Sequence, residues 1–191
     1  MANQNAPFGM GAITRTGSEF VGSLNRYYIP STDGVIMSVG DPVVSAGGAD
    51  VDGIATVTRA AAADSIRGYI VGFLPLTRNQ EDLPNYRPAN VETYVLVADD
   101  PSARIVIQAN GTVTAANIGL NADFVVANAN VNTGRSQVQL NTASIAASAV
   151  LPLKIIGLYE VDDNELATAN PRLVCSFNIH ELKADTGSLG K

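Results

Sequence analysis

The chain has one histidine, one cysteine and no tryptophan in 191 residues, and only 16% of its side chains are charged. Each scarcity excludes something. Proton transfer at neutral pH draws on histidine or on carboxylates retuned by burial, and the lone His180 follows the last apolar run of the sequence. A hydrolytic triad needs a nucleophile and an orienting acid around that histidine, and no G-x-S-x-G elbow marks a serine for the role. A single cysteine closes no intrachain disulfide, and Cys175, on an apolar strand face, reads as a small hydrophobe. The net charge is −6 without a Lys/Arg cluster, so the basic stripe that nucleic-acid binding requires is missing. No apolar run approaches the ~18 residues of a membrane-spanning helix, and the first ten residues lack the pattern of a signal peptide.

What is present is strand patterning. From Arg172 to Ile179, the residues Leu173, Cys175, Phe177 and Ile179 point one way and Arg172, Ser176 and Asn178 the other. Such alternation marks a half-buried strand, and Ala103 to Gln108 repeats it. The runs Ile66 to Leu74 and Val150 to Tyr159 are apolar on both faces and read as central strands buried between two layers. Further strands are expected at Tyr94 to Val97, Arg26 to Ile29, Val35 to Val39, Ile54 to Val57 and Phe124 to Val126. Turn chemistry separates them: Asp33-Gly34, Gly47-Gly48, Asp52-Gly53, Asp99 to Ser102 and Asn132 to Gly134, with Asn110-Gly111 as an expected hairpin turn. Helical turns are expected only at Arg59 to Asp64 and Thr114 to Asn117. The reading is an all-β body, a β-sandwich or barrel, with a jelly roll among the options. No repeat of fixed period stands out.

Three segments differ from that body. Residues 1–23 are rich in Gly, Asn and Thr and read as an extended N-terminal arm that folds onto a partner. Residues 75–90, with three prolines, form a connection longer than compact domains ordinarily use without a function. Residues 183–191 read as a solvated tail, which leaves 24–182 as a single β-rich domain.

Candidate chemistry is thin. Asp50-Val51-Asp52-Gly53 and Asp162-Asp163-Asn164-Glu165 are oxygen-rich, but neither continues into a calcium-loop pattern, and Asp, Asn and Gly are what tight turns use. Gly9-Met10-Gly11 fails the dinucleotide fingerprint, because Thr14 stands where a glycine is needed and no strand precedes it. Tyr27-Tyr28 read as core filling and Tyr86 as an interface anchor. The sequence therefore assigns no catalytic residue, no metal site and no cofactor, and it points away from an enzyme.

The order of segments carries more. Asn5-Ala6-Pro7-Phe8-Gly9 is followed by Arg26-Tyr27-Tyr28-Ile29-Pro30, Gly40-Asp41-Pro42-Val43-Val44 and Gly53 to Ala60. Then come Val71-Gly72-Phe73, Tyr94 to Pro101, Gly119-Leu120-Asn121-Ala122-Asp123, Leu153 to Leu158 and Phe177-Asn178-Ile179-His180. This series resembles a family of virion proteins of tailed bacteriophages encoded beside the major capsid protein, the head decoration or cement proteins. Met10 to Ile13 departs from the Arg-Pro pair that many members carry there. The resemblance implies a protein made in the host bacterial cytoplasm and placed on the capsid surface, where it binds the major capsid protein and itself as a dimer or trimer. It supplies no active site to carry over. The arm and the 75–90 loop are then the expected gripping parts, through Phe8, Met10, Ile13, Phe20, Leu83, Tyr86 and Arg87. Other roles that fit the composition are a tail or head-fibre component and a carbohydrate-binding β-sandwich, for which the absence of tryptophan is unfavourable.

Overall fold

The structure, a computed structural model, describes residues 3–13, 24–74, 86–183, 187 and 190. Its regular secondary structure is almost entirely β-strand, as the turn spacing predicts. In chain order these are β1 (Met10–Ala12), β2 (Leu24–Ile29), β3 (Met37–Ser38), β4 (Pro42–Ala49), β5 (Ala55–Arg59), β6 (Gly68–Leu74) and β7 (Tyr86–Arg87). They continue with β8 (Thr93–Ala98), β9 (Arg104–Gln108), β10 (Asn121–Val125), β11 (Gln139–Ala146), β12 (Leu153–Leu158) and β13 (Arg172–Phe177). Among the described residues the one 3₁₀ turn, Ala115–Asn117, lies where a helical turn is expected. The other expected helical turn is overturned: β5 runs through Arg59, and Ala61 to Asp64 form a reverse turn in which the Asp64 carboxylate accepts the Ala61 N–H at 2.7 Å.

Strands β2-β5-β4-β6-β8 close into a barrel whose one parallel pair is β2 with β5. The remaining long strands form a six-stranded sheet, β1-β9-β13-β12-β10-β11. That sheet curls until its far strand meets β9 in a parallel bridge, Ala109 to Leu140, with the Asn110 N–H donated to the Leu140 carbonyl at 3.0 Å. Taken in chain order, the five strands β9 to β13 repeat the topology of the barrel. First beside third is parallel, and every other neighbour pair is antiparallel.

The repeat holds to the residue. In both halves the fourth strand is bulged after an isoleucine, at Ile70–Gly72 and at Ile155–Gly157. In both, a left-handed glycine precedes the second strand: Gly40 at φ 93 and Gly119 at φ 88. Gly40 donates to the Ile70 carbonyl at 2.8 Å and Gly119 to that of Ile155 at 2.9 Å, while Ile70 and Ile155 donate to Asp41 and Leu120, each at 2.9 Å. Matched by register, the buried residues of the first barrel (Tyr27, Ile29, Val43, Val57, Ile70, Val95, Val97) correspond to Ile107, Ala109, Ala122, Leu140, Ile155, Leu173 and Cys175. The chain is thus a doubled five-stranded unit. The spacing between partners runs from 78 (Val95 to Leu173) to 85 (Ile70 to Ile155), and this drift hides the repeat from a search for one period.

The bulge also corrects the reading of Val150 to Tyr159. Adding a residue to one strand breaks the inside–outside alternation, so Ile156 turns outward at 38% exposure, and Val150, in the preceding turn, is 70% exposed. The run is apolar on both faces because of the bulge, without two covering layers. The second half is filled by Ile105, Ile107, Phe124, Leu140, Leu153, Ile155 and Leu173, all fully buried, and Met10, Ile66 and Tyr69 join the same cluster. Each such aliphatic side chain contributes roughly 1.5–3 kcal/mol, so this shared core binds the two halves together.

Residues 3–13 belong to that body, which corrects the expectation of a free arm over this stretch. Strand β1 pairs with β9, Met10 opposite Ile107 and Ala12 opposite Ile105, and Met10 donates to the Gly40 carbonyl at 2.8 Å. Gly9 and Gly40 approach so closely that a β-carbon on Gly9 would strike the Gly40 carbonyl oxygen and Ser136, and one on Gly40 would strike the Phe8 carbonyl oxygen. Both have positive φ, so a side chain there adds strain to collision. The variant Gly40→Ala is expected to lose about 2 kcal/mol or more, measured as a lowered urea midpoint against the parent chain.

Candidate functional site

The two halves carry two clefts at the same place, between the first and fifth strands of each unit and the loop joining its second and third. In the second half the chain's own N-terminal segment forms one wall of the cleft, which leaves about 200 Å³ open beside Gln108, Arg135 and Arg172. There the Gln108 side chain reads an extended backbone from both sides. Its amide nitrogen donates to the Gln4 carbonyl at 2.7 Å, and its oxygen accepts the Ala6 N–H at 3.1 Å. Asn3 donates to the Glu165 carbonyl at 2.9 Å and to Thr168 Oγ1 at 2.6 Å, and its own oxygen accepts the Glu165 N–H at 2.9 Å. Phe8 then packs on Ile13, Val106 and Val174.

The cleft of the first half is larger, about 400 Å³, and is lined by Tyr28, Ala49, Asp50, Val51, Glu92 and Tyr94. Tyr28 and Tyr94 face each other across β2 and β8, with ring centroids 5.3 Å apart and planes tilted by 46°. Each hydroxyl donates to a carboxylate: Tyr28 to Glu92 at 3.0 Å, and Tyr94 to Asp50 at 2.6 Å. That bond pushes the Tyr94 phenol up to about 12 and holds the Asp50 carboxyl below its usual range, so Asp50 is anionic at neutral pH. Arg26 lies over the Tyr94 ring, 5.0 Å from its centroid. The rim is the β4–β5 turn, where Asp50 Oδ1 accepts the N–H groups of Asp52 and Ile54 at 2.9 and 2.8 Å and Val51 stands fully exposed. Asp50 to Gly53 therefore serve as a turn. Among the described residues, no group of acidic, His and Cys side chains is placed to hold a metal ion.

His180 is fully buried, 5.1 Å from the Phe177 ring, and its Nδ1 accepts the Leu182 N–H at 3.1 Å. Its Nε2 meets no partner among the described residues, so no nucleophile completes a triad there. Burial pulls its pKa below the ordinary value, the main effect among contributions from Asp99, Arg67, Glu181 and Lys183. Cys175 is buried at the centre of the second core, and burial pushes its thiol far up. Asp41 is also buried; it accepts from Ser136 Oγ and, at 2.9 Å, from the Ser38 N–H, yet burial raises its carboxyl overall.

The residues expected to grip a partner fall into three groups. Met10 and Ile13 are 2% and 6% exposed, and Arg87 is 1% exposed, so the chain's own fold consumes all three. Phe8 and Tyr86 are half-buried, and Phe20 and Leu83 lie outside the described residues. Arg87 is a structural cation. Its guanidinium donates to the carbonyls of Val91 (2.6 Å), Val35 (2.7 Å), Asp33 (2.8 Å) and Pro30 (3.0 Å), with the Asp33 carboxylate 3.5 Å away. The expected hairpin turn at Asn110-Gly111 is instead a cross-link, in which Asn110 Oδ1 accepts both the N–H and the hydroxyl of Thr142 at 3.0 Å. The cleft of the first half escapes a reading in which both adjacent tyrosines fill the core: Tyr27 is 5% exposed, whereas Tyr28 lines the cleft. Period-two alternation places neighbours on opposite faces, and this was the available signal.

Comparison with protein-family profiles, with curated proteins and with solved structures finds no match to the chain.

Two outcomes follow from these geometries. Removing the buried guanidinium in Arg87→Ala is expected to cost about 3 kcal/mol or more, and Arg87→Lys restores only part of it, because an ammonium lacks the planar fork; urea unfolding of the pair measures both. For His180, the folded pKa lies below the unfolded 6.5, so the unfolded state takes up the proton first. Stability is full above about pH 6.5 and falls as the pH drops towards the folded value. The urea midpoint is expected to decrease from pH 7 to pH 5. In His180→Asn, which keeps an acceptor for the Leu182 N–H, the decrease over that range is expected to be smaller than in the parent chain.

Proposed function

We propose that this chain is a structural protein of a tailed-phage particle, a decoration or cement protein that binds the outside of the head and supports contacts between major capsid protein subunits. The observation that carries the reading is the ordered series of segments, from Asn5-Ala6-Pro7-Phe8-Gly9 to Phe177-Asn178-Ile179-His180, that resembles that family over nearly the whole chain. Its support from the fold is indirect. The described residues form a β-body whose polar network is spent on turns and strand junctions, and its one histidine and one cysteine are sealed in the core. The unit is doubled within one chain, and a doubled unit offers two attachment frames to a lattice of repeating subunits. Modest contacts on one body reinforce each other through effective concentration.

The gripping surface of this proposal shifts away from Met10, Ile13 and Arg87. It moves to what the fold leaves outside: the cleft of the first half, the exposed β4–β5 hairpin with Val51 at its tip, and the half-buried Tyr86. A carbohydrate-binding role gains the Tyr28–Tyr94 pair as its one favourable observation. Both hydroxyls are engaged by carboxylates and the rings are tilted, so the pair offers no flat platform to a sugar ring. The decisive measurement is the copy number of the chain in purified particles relative to the major capsid protein, by quantitative mass spectrometry. A ratio near one, or a simple fraction such as one-third, is expected. A handful of copies would assign the chain to the tail or a fibre, and absence from the particle would overturn the proposal.

A further inference from the structure

The two clefts differ in one respect that the doubling makes readable. By register, Tyr28 occupies the place of Gln108 and Tyr94 the place of Arg172, since Tyr28 pairs with Tyr94 as Gln108 pairs with Arg172. In the second half, one continuous segment walls the cleft and pairs with the adjoining strand edge. Residues 4–6 lie on Gln108, and β1 adds to β9 antiparallel. In the first half, the strand matching β9 is β2. Its residues Asn25 and Arg26, which match Ile105 and Val106, are exposed, and among the described residues no strand pairs with β2 there on the side away from β8.

We infer that the open cleft and the edge of β2 that no described strand covers form a second seat for an extended polypeptide segment, supplied by a partner and carrying a basic side chain. The fold supplies the mode. An equivalent seat eighty residues further along (Tyr28 to Gln108) already holds such a segment in this molecule, by strand addition beside the cleft. The chemistry of the cleft supplies the specificity. Gln108 recognises bare backbone through its amide, whereas Tyr28 and Tyr94 line the open cleft beside the Glu92 and Asp50 carboxylates. Ring faces and anions together select an ammonium or guanidinium group. Arg26 already uses the Tyr94 ring in this way. Seated in the same register, the chain's own residues 3–13 do not fit the requirement, because they carry no charge, so the occupant is a partner's segment. The inference names the partner chemistry that the proposed function leaves open, and it rests on the internal comparison alone.

The test uses the full chain with ¹⁵N-labelled backbone and two synthetic peptides: residues 3–13 as they stand, and the same segment with Asn5→Lys. The lysine peptide is expected to shift the amide signals of Asn25, Arg26, Val51 and Tyr94 with saturation below about 1 mM, and the parent peptide to bind at least about tenfold more weakly. Glu92→Gln, at an exposed position that leaves the fold intact, should remove most of the difference between the peptides, and Tyr94→Ala should abolish both responses. Equal response to the two peptides overturns the selection for a basic group. Shifts confined to residues 104–108 mean arm exchange between copies and overturn the second seat, as does the absence of any shift up to about 1 mM. The particle copy number decides the phage reading separately, so a failed titration overturns this inference alone.

Discussion

The structure turns on a two-residue crossing, Gly40-Asp41. The Gly40 N–H goes to β6, its carbonyl takes the N–H of Met10 at the start of β1, and the Asp41 carbonyl takes the N–H of Ile70. The Asp41 carboxylate then reaches Ser136, in the loop before β11. First barrel, N-terminal segment and second half thus meet within one backbone step. Only a residue without a β-carbon fits that step, because φ is positive and the Phe8 carbonyl lies against it. The second half keeps the same crossing at Gly119-Leu120 but has an apolar residue where Asp41 stands. The carboxylate is therefore extra to the strand frame and belongs to the joint between the halves. Its burial, which raises its pKa, is the electrostatic cost of that joint.

Much of the strand content was legible, and the reasons are local. Arg172 to Phe177 and Arg104 to Gln108 were legible as strands from the residues that pack on the shared core, but not as strands buried on both faces, since Phe8 and Ile13 of the N-terminal segment cover Val106 and Val174. What failed was anything decided by more than one strand. The bulge at Ile155–Gly157 imitates a doubly covered strand, β4 and β11 carry too many small and polar residues to stand out, and β1 is only three residues long. The duplication was invisible for a related reason. Its matched positions keep only the property of being buried, so Tyr27 stands for Ile107 and Val97 for Cys175, and loops of unequal length shift the spacing.

The candidate site was still less legible. Arg87 looked like a surface cation in a proline-rich loop, yet four carbonyls converge on it. Loops that expose several carbonyls to one point need a donor with a fixed fork, and sequence does not reveal which loops converge. The tyrosine pair of the first cleft is likewise a cross-strand contact, set by register between segments more than sixty residues apart (Tyr28 and Tyr94). Where the two halves agree, they report what the fold needs. Where they diverge, as Gln108 does from Tyr28, they report what each surface is free to become.

Cys175 adds a practical consequence. It is the only thiol of the chain, and it lies at the centre of the second core with no access to solvent. A thiol reagent in solution therefore reacts only through openings of that half, and its counterpart in the first barrel, Val97, contributes no signal. The native molecule carries a built-in reporter on one of its two halves, able to distinguish a body that breathes as a whole from one whose repeats open in turn.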